Sequence, residues 1–192
     1  TRILFQWVRG ANDSVVSIQD ARGNGQASVV GTVAGAVWDW SPDGQRIVVG
    51  RGRPMDLWII PVAGGDPVPF ARSTFNKTQA QISPDGHWIA YTALDSDRDE
   101  VYVGTFPVAT HQRQVSVGGG KQPRWRRDGS ELFYLAPDQR LMAMPVSSKS
   151  GTFDHGGATP LFPTRLQTTG SQNPGLGAYY DVTADGQRFL VN

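Results

Sequence analysis

Carboxylates placed beside hydroxyls are the raw material of acid–base and metal chemistry, and this sequence offers them in several settings. Asp43 lies in Ser41-Pro42-Asp43-Gly44, and an Asp-Gly pair returns at Asp85-Gly86, Asp128-Gly129 and Asp185-Gly186. The run Asp95-Ser96-Asp97-Arg98-Asp99-Glu100 puts carboxylates at the first, third and fifth places of a calcium loop. Such a loop then needs Gly at its sixth place and Glu at its twelfth. Glu100 and Phe106 stand there instead, so the run reads as a solvated hairpin loop. His87, His111 and His155 share neither an i,i+4 nor a strand-alternation spacing, which points to surface positions rather than a metal site.

Other chemical signatures fail in the same way. Gly118-Gly119-Gly120-Lys121 opens like a phosphate loop, but Gln122 occupies the Ser/Thr place. Gly23-Asn24-Gly25 begins a dinucleotide pattern that Ser28 breaks. No Gly-x-Ser-x-Gly elbow is present. The residues therefore assemble no catalytic constellation, no metal site and no cofactor site, and the expectation is a protein that binds rather than catalyses. The densest basic patch, Lys121-Gln122-Pro123-Arg124-Trp125-Arg126-Arg127, puts Arg124 and Arg126 on one side of a strand and Trp125 on the other. It could hold an anion, but Arg stems covering apolar surface explain it as well.

The Asp-Gly pairs have a simpler use. Ser, Pro and Gly at the first, second and fourth places of Ser41-Pro42-Asp43-Gly44 are the residues a type I turn favours, with Asp43 accepting backbone N–H groups. The pairs are separated by 42, 43 and 57 residues. The first two spacings match the roughly 40–45 residue period of a four-stranded propeller blade, and the third fits the same period with an insertion over Ser147–Gly177.

Each unit repeats one pattern. A strand ends at Trp40, Ile82, Trp125 or Val182, and a second strand follows the turn, as at Arg46–Val49 and Trp88–Tyr91. A third strand is expected at Asp56–Ile60, Glu100–Val103 and Arg140–Met144. A weaker fourth is expected near Pro67–Phe70, Arg113–Val117 and Thr159–Phe162. Thr1–Phe5 aligns with a second strand and Val15–Ile18 with a third, while the chain's last residues occupy the second strand of another unit. The expected organisation is a single all-β propeller region with approximate units 1–35, 36–78, 79–120, 121–176 and a partial 177–192. Either the last strands complete the first blade and close a small ring, or the units form an arc of a larger propeller. The arc is the reading adopted, because four units and a fragment lie at the low end of the roughly 4–8 blade range.

Composition agrees with this class and narrows the partners. Hydrophobic residues make up 39%, with 23 Gly and 13 Pro, a mixture suited to many short strands and tight turns. There are 18 Lys plus Arg against 17 Asp plus Glu, so a net charge of +1 gives no reason to expect nucleic acid. The absence of cysteine excludes disulfides and Cys-ligated metals. No apolar run approaches the roughly 20 residues that cross a bilayer, so no membrane insertion is expected. Starting at Thr1 without a leader, the chain reads as a mature protein or a piece of a longer one.

The units Trp40-Ser41-Pro42-Asp43-Gly44 and Ile82-Ser83-Pro84-Asp85-Gly86 resemble the WD-like repeat of TolB-like bacterial β-propellers. The closing segment Tyr180–Asn192 resembles the end of propellers that follow a kinase domain in some large bacterial sensor proteins. The resemblance implies a recognition, scaffold or sensor module with a protein or peptide partner, in a periplasmic or extracytoplasmic setting. The alternative is the substrate-filtering propeller of a prolyl-oligopeptidase-like serine peptidase, attached to a catalytic domain outside this chain. In a propeller the strand before the repeated turn borders the central channel. The residues preceding the aligned apolar position, Asp39, Gln81, Arg124 and Asp181, are polar in every unit. They are the candidate binding residues, a channel ring for a peptide terminus or small polar ligand. The insertion is a second candidate contact.

Overall fold

Short apolar runs bounded by turn residues fold into eighteen strands, with no helix among the described residues. The protein is represented by a computed structural model that describes residues 2–10, 13–23, 25–71, 73–95, 97–149, 151–166 and 179–191. The first sheet holds β1 (Arg2–Gly10), β2 (Asp13–Asp20) and β3 (Ser28–Val33) in that order. The second holds β4 (Ala36–Trp40), β5 (Arg46–Arg51), β6 (Asp56–Pro61) and β7 (Val68–Pro69). The third holds β8 (Lys77–Ile82), β9 (Trp88–Asp95), β10 (Arg98–Thr105) and β11 (Gln112–Gln114). In the fourth, β12 (Lys121–Trp125) and β13 (Glu131–Leu135) lead to a long β14 (Arg140–Lys149), which pairs with both β15 (Thr152–His155) and β16 (Thr159–Pro163). A final hairpin joins β17 (Tyr180–Val182) to β18 (Phe189–Val191). All pairings are antiparallel, and all but that of β14 with β16 join neighbours in sequence, the meander of propeller blades.

Alternation explains why the second strands are continuously apolar. Side chains of one strand point to opposite faces, and each inner blade is covered on both. Ile47 and Val49 pack with Val16 and Val33 of the first sheet, while Val48 between them packs with Ile82, Ile89 and Tyr91 of the third. Ile89 and Tyr91 serve that same layer, whereas Trp88 and Ala90 pack with Leu132, Tyr134 and Met144. Phe133 and Leu135 then face Tyr180 of the last hairpin. The core is thus four apolar layers between five sheets rather than one central mass.

A buried ion pair adds to the second joint. Lys77 Nζ lies 2.5 Å from Asp56 Oδ1 and also donates to Ser73 Oγ and the Ala71 carbonyl, so its charge is fully coordinated. The equivalent acid of the third blade corrects one expectation. Glu100, which ends the acidic run read as a solvated loop and also begins the expected third strand, is buried; it accepts a hydrogen bond from Ser116 Oγ and lies 3.6 Å from Arg98. Strand register explains this, because Glu100 pairs with Ala93 and is carried well inside β10.

The last hairpin does not pair with the first sheet, so the sheets form an open arc rather than a ring closed by these strands. The insertion expected over Ser147–Gly177 is in its described part an extension of β14 with β15 and β16; residues 167–178 lie outside the described residues.

Candidate functional site

The repeated carboxylates are committed to the backbone. Asp43 Oδ1 accepts from Ser41 Oγ at 2.5 Å and from the Gln45 N–H at 2.9 Å, while Ser41 Oγ accepts the Arg46 N–H. The same set recurs around Asp85 and Asp185, with Thr183 in place of Ser in the latter. Gly44, Gly86, Gly129 and Gly186 all have φ between 70° and 74°, the left-handed conformation that closes each turn. The hydrogen bond from Ser41 is the main reason the Asp43 carboxyl sits below its ordinary value, and Thr183 does the same for Asp185. A fifth turn of this kind, not evident in the repeat spacing, joins β13 to β14. There Asp138 accepts the Arg140 N–H, and Gln139 takes φ 65° where the others carry Gly.

The channel residues come together. Asp39, Gln81, Arg124 and Asp181 all line one cavity of about 540 Å³, with Trp38, Tyr180, Leu190 and Val191 completing its wall. Three of the four strands that carry a ring residue bulge just before it, between Val37 and Asp39, Thr78 and Gln81, and Lys121 and Arg124. The bulge re-aims the next side chain out of the ladder. In the last two of these three it contains Gln79 and Gln122 with φ near 55°.

The ring residues differ in what they have left to offer. Asp39 Oδ2 accepts the Ile82 N–H of the next blade at 2.7 Å, and Oδ1 accepts the Trp40 N–H at 2.8 Å. Gln81 Oε1 repeats the move one blade on, accepting the Trp125 N–H at 2.6 Å. A second series lies beside it. Gln79 Oε1 accepts the Gln122 N–H, and Gln122 Oε1 accepts the Tyr179 N–H. Gln6 does the same for the Val37 N–H from the first sheet. Sequence reasoning passed over Gln79 and Gln122, although both stand three residues before the aligned apolar position.

Arg124 breaks the first series, because a guanidinium cannot accept an N–H. The Val182 N–H is taken by Asp181 Oδ1 of its own hairpin at 2.8 Å. Arg124 Nη1 donates to the Pro123 carbonyl at 3.2 Å. Among the described residues no carboxylate lies within ion-pair distance of Arg124, though two line the same cavity. Burial pushes the Asp39 carboxyl up to about 6, against the N–H groups of Ile82 and Trp40 and the charge of Arg124. Burial also raises the Tyr180 hydroxyl, which donates to the Gln122 carbonyl at 2.9 Å.

The remaining candidates separate. Arg126 does not share a strand face with Arg124: it stands past the end of β12 and pairs with Glu131 at 3.0 Å and Asp128 at 3.3 Å. His87 and His111 are exposed, and His155 packs near Phe153. Among the described residues no group of three His, Asp or Glu is arranged to hold a metal, and no helix is long and apolar enough to cross a membrane.

Comparison with solved structures identifies the architecture. The chain is similar to TolB from Acinetobacter baumannii, at 15% identity and a TM-score of 0.67, over 99% of this chain and 46% of that one. It is similar to an oligogalacturonate lyase solved with manganese, at 15% identity and a TM-score of 0.63, over 93% of this chain and 50% of that one. It is also similar to a prolyl endopeptidase, at 14% identity and a TM-score of 0.57, over 95% of this chain and 26% of that one. No family model matches the sequence, and no curated protein matches it. Among five such structures, the chain spans between 20% and 61% of the other chain's length.

Proposed function

The fold is the β-propeller of TolB-like proteins, and we propose that the chain is a non-catalytic recognition module that binds a protein or peptide partner at the mouth of its channel. The observation that carries this reading is Arg124, a guanidinium on the wall of a cavity of about 540 Å³ with no carboxylate partner among the described residues. Such a fork suits a carboxylate, and a peptide C-terminus or acidic side chain would supply one. Asp181, exposed beside it, is placed for an amine, and Gln81 and Asp39 hold the backbone of the rim in position. Likeness to TolB favours an extracytoplasmic scaffold or sensor role, and the resemblance of Tyr180–Asn192 to propellers that follow a kinase domain is what supports reading this chain as one portion of a larger sensor protein.

Peptide arrays presenting free and amidated C-termini test the site. Binders should require a free carboxylate and lose about tenfold or more in affinity with Arg124→Ala, the value of one charge-assisted pair. Binding that is indifferent to Arg124→Ala, Asp39→Ala and Asp181→Ala would overturn the channel site. The second reading, a propeller that filters substrates for a serine peptidase, rests on the prolyl endopeptidase likeness. A Gly-x-Ser-x-Gly hydrolase domain in the parent gene would favour it, and an upstream kinase domain would favour the sensor.

A further inference from the structure

A second cavity, of about 170 Å³, lies away from the channel ring between the third and fourth blades. The turn of Ser83–Trp88 forms one side, the turn after Trp125 another, and the β14–β15 hairpin folds across both. Ser148 Oγ on the hairpin donates to Asp85 Oδ2 at 2.7 Å, tying the strap to the third blade's turn. Phe153, the second residue of the return strand β15, sets its ring 5.3 Å from that of Trp88 and 6.2 Å from that of Trp125. Three aromatic rings and two carboxylates, Asp85 and Asp128, thus line one small space.

The charge balance of this wall is negative. Asp128 lies 3.3 Å from Arg126 and is partly offset by it. Among the described side chains, no Lys, Arg or His nitrogen lies within ion-pair distance of Asp85. Burial works against the Asp85 carboxylate, but hydrogen bonds from Ser83, Ser148 and the His87 N–H hold it below its ordinary value, so it is charged at neutral pH. Those three donors occupy most of its lone-pair positions. Asp85 therefore offers a field more than a free acceptor. A cation that must donate hydrogen bonds gains little there, whereas one that cannot donate loses nothing.

We propose that this cavity binds a quaternary ammonium group, with the rings of Trp88, Trp125 and Phe153 as its walls and Asp85 and Asp128 as counter-charges. Attraction of an alkylated cation to aromatic faces is strongest where water is excluded, and Trp88 and Trp125 are each only 6% exposed. The size agrees: typical small-molecule sites occupy roughly 300–1,000 Å³, so this space takes a headgroup rather than a whole ligand. The group would be a trimethylammonium carried on a side chain or on a small polar molecule.

Tetramethylammonium chloride, titrated into the 15N-labelled chain at constant ionic strength, is the direct probe. The indole N–H resonances of Trp88 and Trp125, assigned by Trp→Phe substitution, should shift saturably at millimolar concentration, while ammonium and sodium leave them unmoved. Choline and N-acetyl-trimethyllysine methylamide, run as separate arms, show which carrier the surrounding surface prefers. Phe153→Ala and Asp128→Asn should each raise the midpoint about fivefold or more, and Phe153→Tyr, which keeps the ring and the strap, should restore it. An absence of saturable shifts in the natural chain would overturn the proposal. So would equal shifts with ammonium, or a midpoint that Phe153→Ala and Asp128→Asn both leave unchanged.

Discussion

Asp39 is an acceptor held in surroundings that disfavour its charge: it takes two backbone N–H groups, yet burial lifts its carboxyl from an ordinary 3.8 to about 6. Because the folded state holds this proton more tightly than the unfolded chain, its contribution is whole below pH 3.8 and is lost as pH rises through about 6. Asp39→Asn keeps an acceptor and cannot ionise. Relative to the natural chain it should gain stability between about pH 4 and pH 7, by up to about 3 kcal/mol; urea denaturation at both pH values measures it. A difference that does not change with pH would show that Asp39 does not titrate in this way. The sequence marked Asp39 because polarity recurs at that place in every unit. It gave no warning that Asp39 and Gln81 serve the next blade's backbone, since an acceptor and a ligand-binding group look alike until the neighbouring strand is placed. Glu100 shows the same limit: it was legible as the start of a third strand, but an acidic run looks solvated until register carries one member inside.

Between blades the recurring device is a side-chain oxygen that crosses to the neighbour's N–H. Gln81 is the cleanest case, because Trp125 is buried and its N–H has nowhere else to go. Gln81→Leu should cost about 1–3 kcal/mol by leaving that donor unpaired, whereas Gln81→Glu, which keeps the acceptor, should cost less; chemical denaturation of the two variants decides it. Strand positions were legible because their cues are local: apolar runs, Asp-Gly turns and a fixed period. Three elements escaped those cues. β3 has only Val29, Val30 and Val33 to announce it; the Asp138 turn carries Gln at its left-handed position; and β15 belongs to an insertion outside the period. Phe153, the residue that makes the insertion pack, could not be matched to Trp88 and Trp125 from sequence, because those contacts depend on how the hairpin folds back.

At the scale of the whole arc, the sheet faces turned toward a neighbour are chiefly apolar, and the outward face of the first sheet keeps that character without a neighbour among the described residues. Phe5 and Val29 flank Ser17 there, and Trp7 pairs with Val15; Ile3 and Trp7 are 51% and 59% exposed. A blade buries little alone, so this face should drive association. Sedimentation should show a concentration-dependent sedimentation coefficient that Ile3→Glu with Trp7→Lys suppresses; a monomer at all concentrations in the natural chain would refute this. The arc was readable from the period, while the way its joints differ was not. That difference has a mechanical side. The joint between the third and fourth sheets carries two parallel ties, Gln81 from the ring position and Gln79 from the bulge, while the joint before it carries the Asp39 tie. At the last joint Arg124 supplies no acceptor, and the ties from Tyr179 and Tyr180 both end on Gln122. Both of these hydrogen bonds hang on one residue, so Gln122 acts as the fuse of the last hairpin.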